Sequence, residues 1–260
     1  MSFLRITPFF LAAVSVLSAQ GHASTGAAQL PAHATLPITF TATVSAAHAK
    51  AGDTVKARTM QPVHLADGRV VPSGAIVLGH VVQAAAFEYD KTPYAKQAAG
   101  TLRIQIDSLE VQGTQVPLNV TLRAMADPLT SRQASEPKST DLDSLSTTTQ
   151  VGGDQLTPSQ SEIRNQDGDV VGYNKHGGAF AHLLANSRDA VACDAGDTEQ
   201  PVAIFSASAC GLYGFYGMSL LSSGNVDSSR IELSSTRSNP QIWRNTTALL
   251  EVMPESIASK

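Results

Sequence analysis

The sequence predicts an all-β protein, built from two small β-sandwich or barrel modules that a long polar linker joins. Apolar and polar residues alternate at period two in many short segments, and glycine and proline turns separate these segments. No segment carries a sustained helical repeat of apolar positions. Hydrophobic residues make up 42% of the 260 residues, so a sizeable core can be buried, while only 15% are charged.

Residues 1–23 have the pattern of an export signal. Arg5 precedes an apolar run from Ile6 to Ala19, and small residues follow it up to Gly21-His22-Ala23. The run is shorter than the roughly 20 residues that a transmembrane helix needs. We expect cleavage after Ala23, which gives an exported mature chain, periplasmic or extracellular, without a transmembrane segment. The alternatives are an uncleaved anchor or a buried core helix.

The first β-module is predicted over residues 36–126. Alternation begins at Ile38, and Asp67-Gly68 is typical of a hairpin turn. The clearest hairpin joins the alternating segments 102–107 and 116–123 through a turn at 111–114. Short strands with frequent turns are typical of a sandwich or a small barrel.

Residues 127–168 are predicted to be a flexible polar linker or loop. Serine, threonine, glutamine, aspartate and proline dominate this segment, and its few apolar residues show no period. Such a composition buries too little apolar surface to offset the entropy of ordering.

The second β-module is predicted over residues 169–253. Segments 170–173 and 179–184 flank a predicted hairpin loop at 174–178, and the apolar run 201–207 suits a central strand. Cys193 and Cys210 are expected to form one disulfide in an oxidising compartment. The alternative is that one of them is a thiolate nucleophile or a metal ligand.

Charge and motifs exclude several function classes. The net charge of −4 argues against nucleic-acid binding, which usually needs a basic face. The chain lacks the G-x-S-x-G, P-loop, H-E-x-x-H and G-x-G-x-x-G signatures. We therefore expect a protein without enzymatic activity and without a cofactor.

Two patterns suggest a metal site. Asn165, Asp167 and Asp169 place three oxygen-bearing side chains around a glycine, as calcium loops do, although the residue that should open such a loop is Ile163. The alternative for this segment is a polar turn. Histidines suit copper or zinc in an exported protein, and the alternative is that they face solvent; they are His33, His48, His64, His80, His176 and His182.

Aromatic residues are only 5% of the chain, yet several gather in two clusters, which form a candidate ligand platform for sugar or peptide. The alternative is core packing between glycine-rich strands. The platform residues are Tyr89, Tyr94, Tyr213, Phe215 and Tyr216.

A resemblance to a known family covers residues 52–84. The cadence Gly52-Asp53-Thr54-Val55, Asp67-Gly68, Val71-Pro72-Ser73-Gly74 and Leu78-Gly79-His80-Val81 resembles the β-barrel portion of TrbI-like proteins, the envelope-spanning scaffold subunits of type IV secretion and conjugation machines. The resemblance implies a related exported β-domain. Members of that family retain an N-terminal membrane anchor, whereas a cleavable signal is expected here. The whole chain also resembles secreted β-rich bacterial proteins, which implies no activity.

These observations lead to three hypotheses. The first is an exported, non-enzymatic binding or assembly module of the bacterial cell envelope, with an envelope protein or a glycan as partner. Its contacts would come from a sheet edge or the aromatic clusters. The second is an exported protein that binds calcium, copper or zinc. The third is a hydrolase with a non-standard site.

Overall fold

The structure is a computed structural model, and it describes residues 29–93, 96–137, 139–188, 191–221 and 229–254. The predicted export signal, residues 1–23, and Tyr94 of the candidate platform lie outside these ranges. Within them, no helix has the length and hydropathy required to cross a bilayer.

The described chain is mostly β, with one short α-helix, α1 (Pro128–Ser135), and 3-10 turns at Ser139–Asp141 and Pro158–Gln160. In chain order the strands are β1 Thr35–Phe40, β2 Val44–Ser45, β3 Thr54–Thr59, β4 Val63–His64, β5 Val70–Val71, β6 Ile76–Ala85, β7 Gly100–Val111, β8 Thr114–Pro117, β9 Val120–Ala126, β10 Thr148–Thr149, β11 Gln155–Thr157, β12 Glu162–Arg164, β13 Val170–Lys175, β14 Gly178–His182, β15 Asn186–Arg188, β16 Val191–Cys193, β17 Glu199–Pro201, β18 Gly211–Tyr213, β19 Ser219–Leu221, β20 Arg230–Ser235, β21 Gln241–Ile242 and β22 Thr247–Val252.

The larger sheet is barrel-like and nearly closed. Its nine-strand path runs β18-β9-β22-β1-β3-β6-β7-β20-β19, and β8 pairs with β7 outside this path. β18 is parallel to β9, whereas the first and last described strands, β1 and β22, pair in antiparallel register. The end strands β18 and β19 approach each other, which brings the sheet close to closure.

The interior of the barrel-like sheet is filled by the apolar side of each alternating strand. On β7, Leu102, Ile104 and Ile106 are buried, while Arg103 and Gln105 between them are partly exposed. The same alternation on β3 and β6 completes a continuous buried cluster. The sequence pattern at period two therefore corresponds to inside and outside positions.

A smaller antiparallel sheet of six strands, β10-β11-β12-β13-β14-β17, packs on the outside of the barrel-like sheet. Strands β1, β9 and β22 are consequently buried on both faces along most of their length. Ala124 and Leu249 on the barrel-like sheet pack against Val151, Phe205 and Ala209. This second apolar layer joins the two sheets.

Two polar side chains help to fix the smaller sheet in place. The buried Gln61 amide donates to the Ala179 carbonyl at 3.2 Å and accepts from the Ala203 N–H at 2.8 Å. Its side chain thus provides a hydrogen-bond partner for one main-chain carbonyl and one main-chain N–H. Thr35 on β1 donates its hydroxyl to the carbonyl of Pro201 on β17.

Arg123 on β9 has the largest fully buried side chain among the described residues. Its guanidinium donates to the Leu184 carbonyl at 2.6 Å and to the Asp194 carbonyl at 2.7 Å. The Glu251 carboxylate accepts from the same group at 3.3 Å. Burial lowers the pKa of Arg123, and the charge of Glu251 opposes that shift. The arginine thus ties the loops after β14 and β16 to the barrel-like sheet.

Several predicted local features are confirmed. The hairpin turn at 111–114 joins β7 to β8, and Gln112 and Gly113 both have positive φ, as a two-residue hairpin turn of type I′ requires. The predicted second segment, 116–123, is not one strand, because β8 ends at Pro117 and β9 begins at Val120 and pairs with β22 instead of β7. Hairpins also form around Asp67-Gly68 and between β13 and β14. The predicted disulfide joins Cys193 and Cys210.

The arrangement differs from two modules with a linker. Strands from both predicted modules, 36–126 and 169–253, contribute to the barrel-like sheet, through the β7–β20 and β9–β22 pairings. Such pairings join residues more than a hundred positions apart, and local alternation carries no information about them. The segment 127–168 contains α1, β10, β11 and β12 rather than an irregular linker, and two of its apolar residues, Val151 and Ile163, are buried in the cores that neighbouring segments complete.

The apolar run 201–207 is not a central strand. β17 ends at Pro201, and Ala203 has a φ of 50°, so the chain turns. Val202 and Phe205 are nevertheless fully buried, each in a different apolar cluster. The run is apolar because it passes between the two sheets.

Candidate ligand-binding groove

A cavity of about 680 Å³ opens between α1 and β10, and we call it the α1 groove. Leu129, Arg132 and Gln133 line it from the helix, and residues 147–152 line it from β10 and the turn that follows. Tyr213, at the end of β18, also lines the groove. Both apolar and polar side chains face this volume, which is typical of ligand sites.

The helix wall of the groove begins at a well-formed cap. The Asp127 carboxylate accepts from the Thr130 N–H at 2.8 Å, and Pro128 occupies the first turn, where its missing N–H has no cost. Ser131 is buried and forms a 2.8 Å hydroxyl contact with Thr247 on β22. The helix is therefore anchored on the outside of the barrel-like sheet.

Gly214 allows the chain after β18 to approach this cap closely. Its φ is +78°, and a Cβ atom at this position would lie 2.4 Å from Cγ of Asp127. The Asp127 N–H also donates to the Tyr213 carbonyl at 2.9 Å. Tyr213 and α1 are thus held together as two walls of the groove.

Tyr213 is fixed at both ends of its side chain. Its hydroxyl accepts from the Cys210 N–H at 3.2 Å, next to the disulfide. The Arg188 guanidinium lies 4.4 Å from the ring centroid, in cation–π geometry. One face of the ring is therefore covered, and the ring has little freedom to reorient.

Gln150 is the polar residue of the groove with an unused hydrogen-bonding atom. Only 4% of it is exposed, and its Nε2 donates to the Ala203 carbonyl at 3.0 Å. Its Oε1 has no hydrogen-bond partner among the described residues. A buried acceptor without a partner is unfavourable for stability.

Asp154 lies close to this residue along the chain, and its carbonyl accepts from the Gln150 N–H at 2.8 Å. Its carboxylate accepts from the Ala207 N–H, also at 2.8 Å. Burial raises the pKa of Asp154, and the hydrogen bond from Ala207 partly opposes the shift. The carboxyl group joins the turn after β10 to the segment between the two sheets.

The structure places the residues of the candidate platform in different surroundings. Tyr213 lines the groove, whereas Phe215 is buried against Trp243, with ring centroids 5.3 Å apart. Tyr89 and Tyr216 are 79% and 92% exposed and do not line the groove.

The candidate calcium residues form a tight turn between β12 and β13. Oδ1 of Asn165 accepts from the main-chain N–H groups of Asp167 and Asp169, at 3.0 and 2.8 Å. These bonds use the side-chain oxygen that a cation would need. Across the described ranges, no group of three or more histidine, cysteine, aspartate or glutamate side chains is arranged to hold a metal ion.

Sequence reasoning missed most of the groove, including α1, Arg132 and Gln150. One local signal was available, because Asp127-Pro128 combines a preferred N-cap residue with proline at the first helical position. The role of Gln150 depends on its burial, and the sequence does not report this.

Comparisons with protein-family models, with characterised proteins and with solved structures find no match for this chain. Its function is therefore inferred from the sequence and from the groove.

Proposed function

We propose that this chain is an exported, non-enzymatic binding module of the bacterial cell envelope, and that the α1 groove is its binding site. The observation that carries this proposal is the cavity of about 680 Å³ between α1 and β10, which both apolar and polar side chains line. Such a mixed lining is typical of sites that bind a ligand.

Export is supported by two independent features. Residues 1–23 have the charge and hydropathy pattern of a signal that is cleaved after Ala23. The Cys193–Cys210 disulfide is of the kind that persists in the periplasm or outside the cell. The partner would then be an envelope protein or a glycan, and the resemblance to TrbI-like barrels agrees with a place near an envelope assembly.

The test is cosedimentation of the mature chain with bacterial envelope fragments. Thr149→Trp fills the groove from an exposed position on β10, and Thr114→Trp adds the same side chain to an exposed position on β8, outside the groove. We expect the wild type and Thr114→Trp to sediment with the fragments and Thr149→Trp to remain in the supernatant. Equal sedimentation of all three, or none by the wild type, would overturn the proposal.

Export is tested separately by N-terminal sequencing of the chain recovered from the periplasm or the medium. We expect the first residue to be Ser24. A chain that stays in the cytoplasm, or that retains residues 1–23, would contradict the export part of the proposal. The hydrolase hypothesis stays a prediction that no observation tests.

A further inference from the structure

The open side of β10 presents main-chain hydrogen-bonding groups to the α1 groove. β10 is an edge strand of the six-stranded sheet and pairs with β11. The Gln150 N–H donates to the Asp154 carbonyl, so these residues form a hydrogen-bonded pair. Such pairs alternate with non-hydrogen-bonded ones along antiparallel strands, and the preceding pair is Thr149 with Gln155. The N–H and C=O of Thr149 therefore point away from β11, and we call them the open rung.

The outward positions on either side of the open rung are already bonded. The Val151 N–H donates to the Ile204 carbonyl, and the Val151 carbonyl accepts from the Ser206 N–H, each at 2.8 Å. On the other side, the Thr147 N–H donates to the Asp143 carboxylate at 2.8 Å. An added strand would therefore pair with the main chain of Thr149 alone, between two positions that are already hydrogen-bonded.

The groove runs along this edge rather than across one face of the sheet. Thr148 and Thr149 of β10 both line it, although successive side chains of a strand point to opposite faces. A cavity on one face of β10 would be lined by only one of them. The groove therefore lies along the edge of this strand, and residues 150–152 extend its lining into the turn that follows.

The opposite wall suits the side chains of a peptide. Leu129 and Ala134 of α1 both line the groove, and Leu129 is 57% exposed, so part of this wall is apolar. Arg132 lies on the same wall, and no ion pair to it is formed within the described part of the chain.

We propose that the α1 groove binds a short extended peptide segment of an envelope protein. The peptide adds to the edge of β10 and pairs with the open rung at Thr149. This is recognition by strand addition, in which main-chain bonds supply affinity. The inference rests on the proposed function and specifies the ligand of the same site.

A matched pair of variants at one position tests the open rung. Thr149→Pro removes the outward N–H and is compatible with an edge strand, because that N–H is not bonded to β11. Thr149→Val keeps the N–H and nearly the same shape. The probe is a bead-displayed library of acetylated hexapeptide amides, screened with the mature wild-type chain.

We expect selected hexapeptides to bind wild type and Thr149→Val with similar affinity and Thr149→Pro about ten-fold more weakly, as the loss of one hydrogen bond implies. Equal binding by Thr149→Pro and Thr149→Val would overturn strand addition. If Thr149→Pro does not fold, N-methylation of each peptide amide in turn replaces it. One methylated position must then abolish binding to the wild type, and no effect at any position overturns the inference.

A second experiment distinguishes a peptide ligand from a glycan ligand. Oligosaccharides released from the envelope glycan are titrated against the wild type and Thr149→Trp. Binding of these sugars with no hexapeptide selected would overturn the peptide inference and leave the proposed function standing. Failure of both probes also overturns the peptide inference, and the sedimentation experiment then decides the proposed function separately.

Discussion

Replacement of Arg123 by methionine is expected to be among the most destabilising single substitutions in this protein. The arginine is 1% exposed, and its guanidinium donates hydrogen bonds to the carbonyls of Leu184 and Asp194 and to the carboxylate of Glu251. Methionine has a similar length and can occupy much of the same volume. It has no donors, so it leaves the two carbonyls and the carboxylate without this partner.

The magnitude follows from those contacts. Hydrogen bonds to a charged group contribute about 1.5–3 kcal/mol each, and Arg123 makes two short ones to buried carbonyls. Removal of one partner from a buried ion pair destabilises by about 3–5 kcal/mol. Both routes give a loss of about 3–5 kcal/mol in the free energy of unfolding for Arg123→Met.

The assay is urea denaturation of the oxidised mature chain, followed by circular dichroism, with Arg164→Met as the matched control. Arg164 pairs with Glu162 on the surface, where such pairs contribute about 0–1 kcal/mol. Limited proteolysis of Arg123→Met should cut first between residues 183 and 209, since these loops lose their anchor. A loss for Arg123→Met no larger than that for Arg164→Met would refute the reasoning.

Three further predictions concern the disulfide, Asp154 and Gly214. Replacement of Cys193 and Cys210 by serine is expected to lower the free energy of unfolding by about 3 kcal/mol, because the disulfide closes a loop that the unfolded chain would otherwise leave open. Urea titrations measure this loss, and a loss below about 1 kcal/mol would contradict the prediction. Because burial raises the pKa of Asp154 above its ordinary value of 3.8, the native state binds this proton more tightly than the unfolded chain. The contribution of this group to the free energy of unfolding should therefore fall as pH rises from 3.8 through the raised native pKa. Asp154→Asn should remove this part of the pH dependence in urea titrations, and an unchanged pH dependence would argue against the explanation. Gly214→Ala should lower Tm more than Gly52→Ala, because both have positive φ but only Gly214 would place a Cβ against a neighbour, and equal shifts would exclude the steric cause.

The local parts of this fold were predictable because their signals are local. The turn at Gln112-Gly113 needs two residues that tolerate positive φ, and the strands beside it alternate in hydrophobicity. The disulfide followed from two cysteines in a chain with an export pattern. In each case neighbouring residues determine the structure, so a single sequence is sufficient.

The long-range parts were not predictable from the same signals. Val120 pairs with Val252, and no periodicity in either segment identifies the other as its partner. Ile163 is buried in a segment whose polar composition indicates disorder, because a few apolar residues suffice when a neighbouring sheet covers them. The groove depends on the same packing, so neither α1 nor Gln150 was expected to form a site.

The pairing of β1 with β22 has a consequence for how the protein matures. Leu36 lies opposite Leu250, so the ring of strands cannot be completed before the residues near position 252 are available. During synthesis from the N-terminus, β1 therefore lacks one neighbour until the segment near position 252 has been made. Contacts of such large sequence separation also slow folding. The open edge of β1 is accessible to non-native strand pairing in the interval.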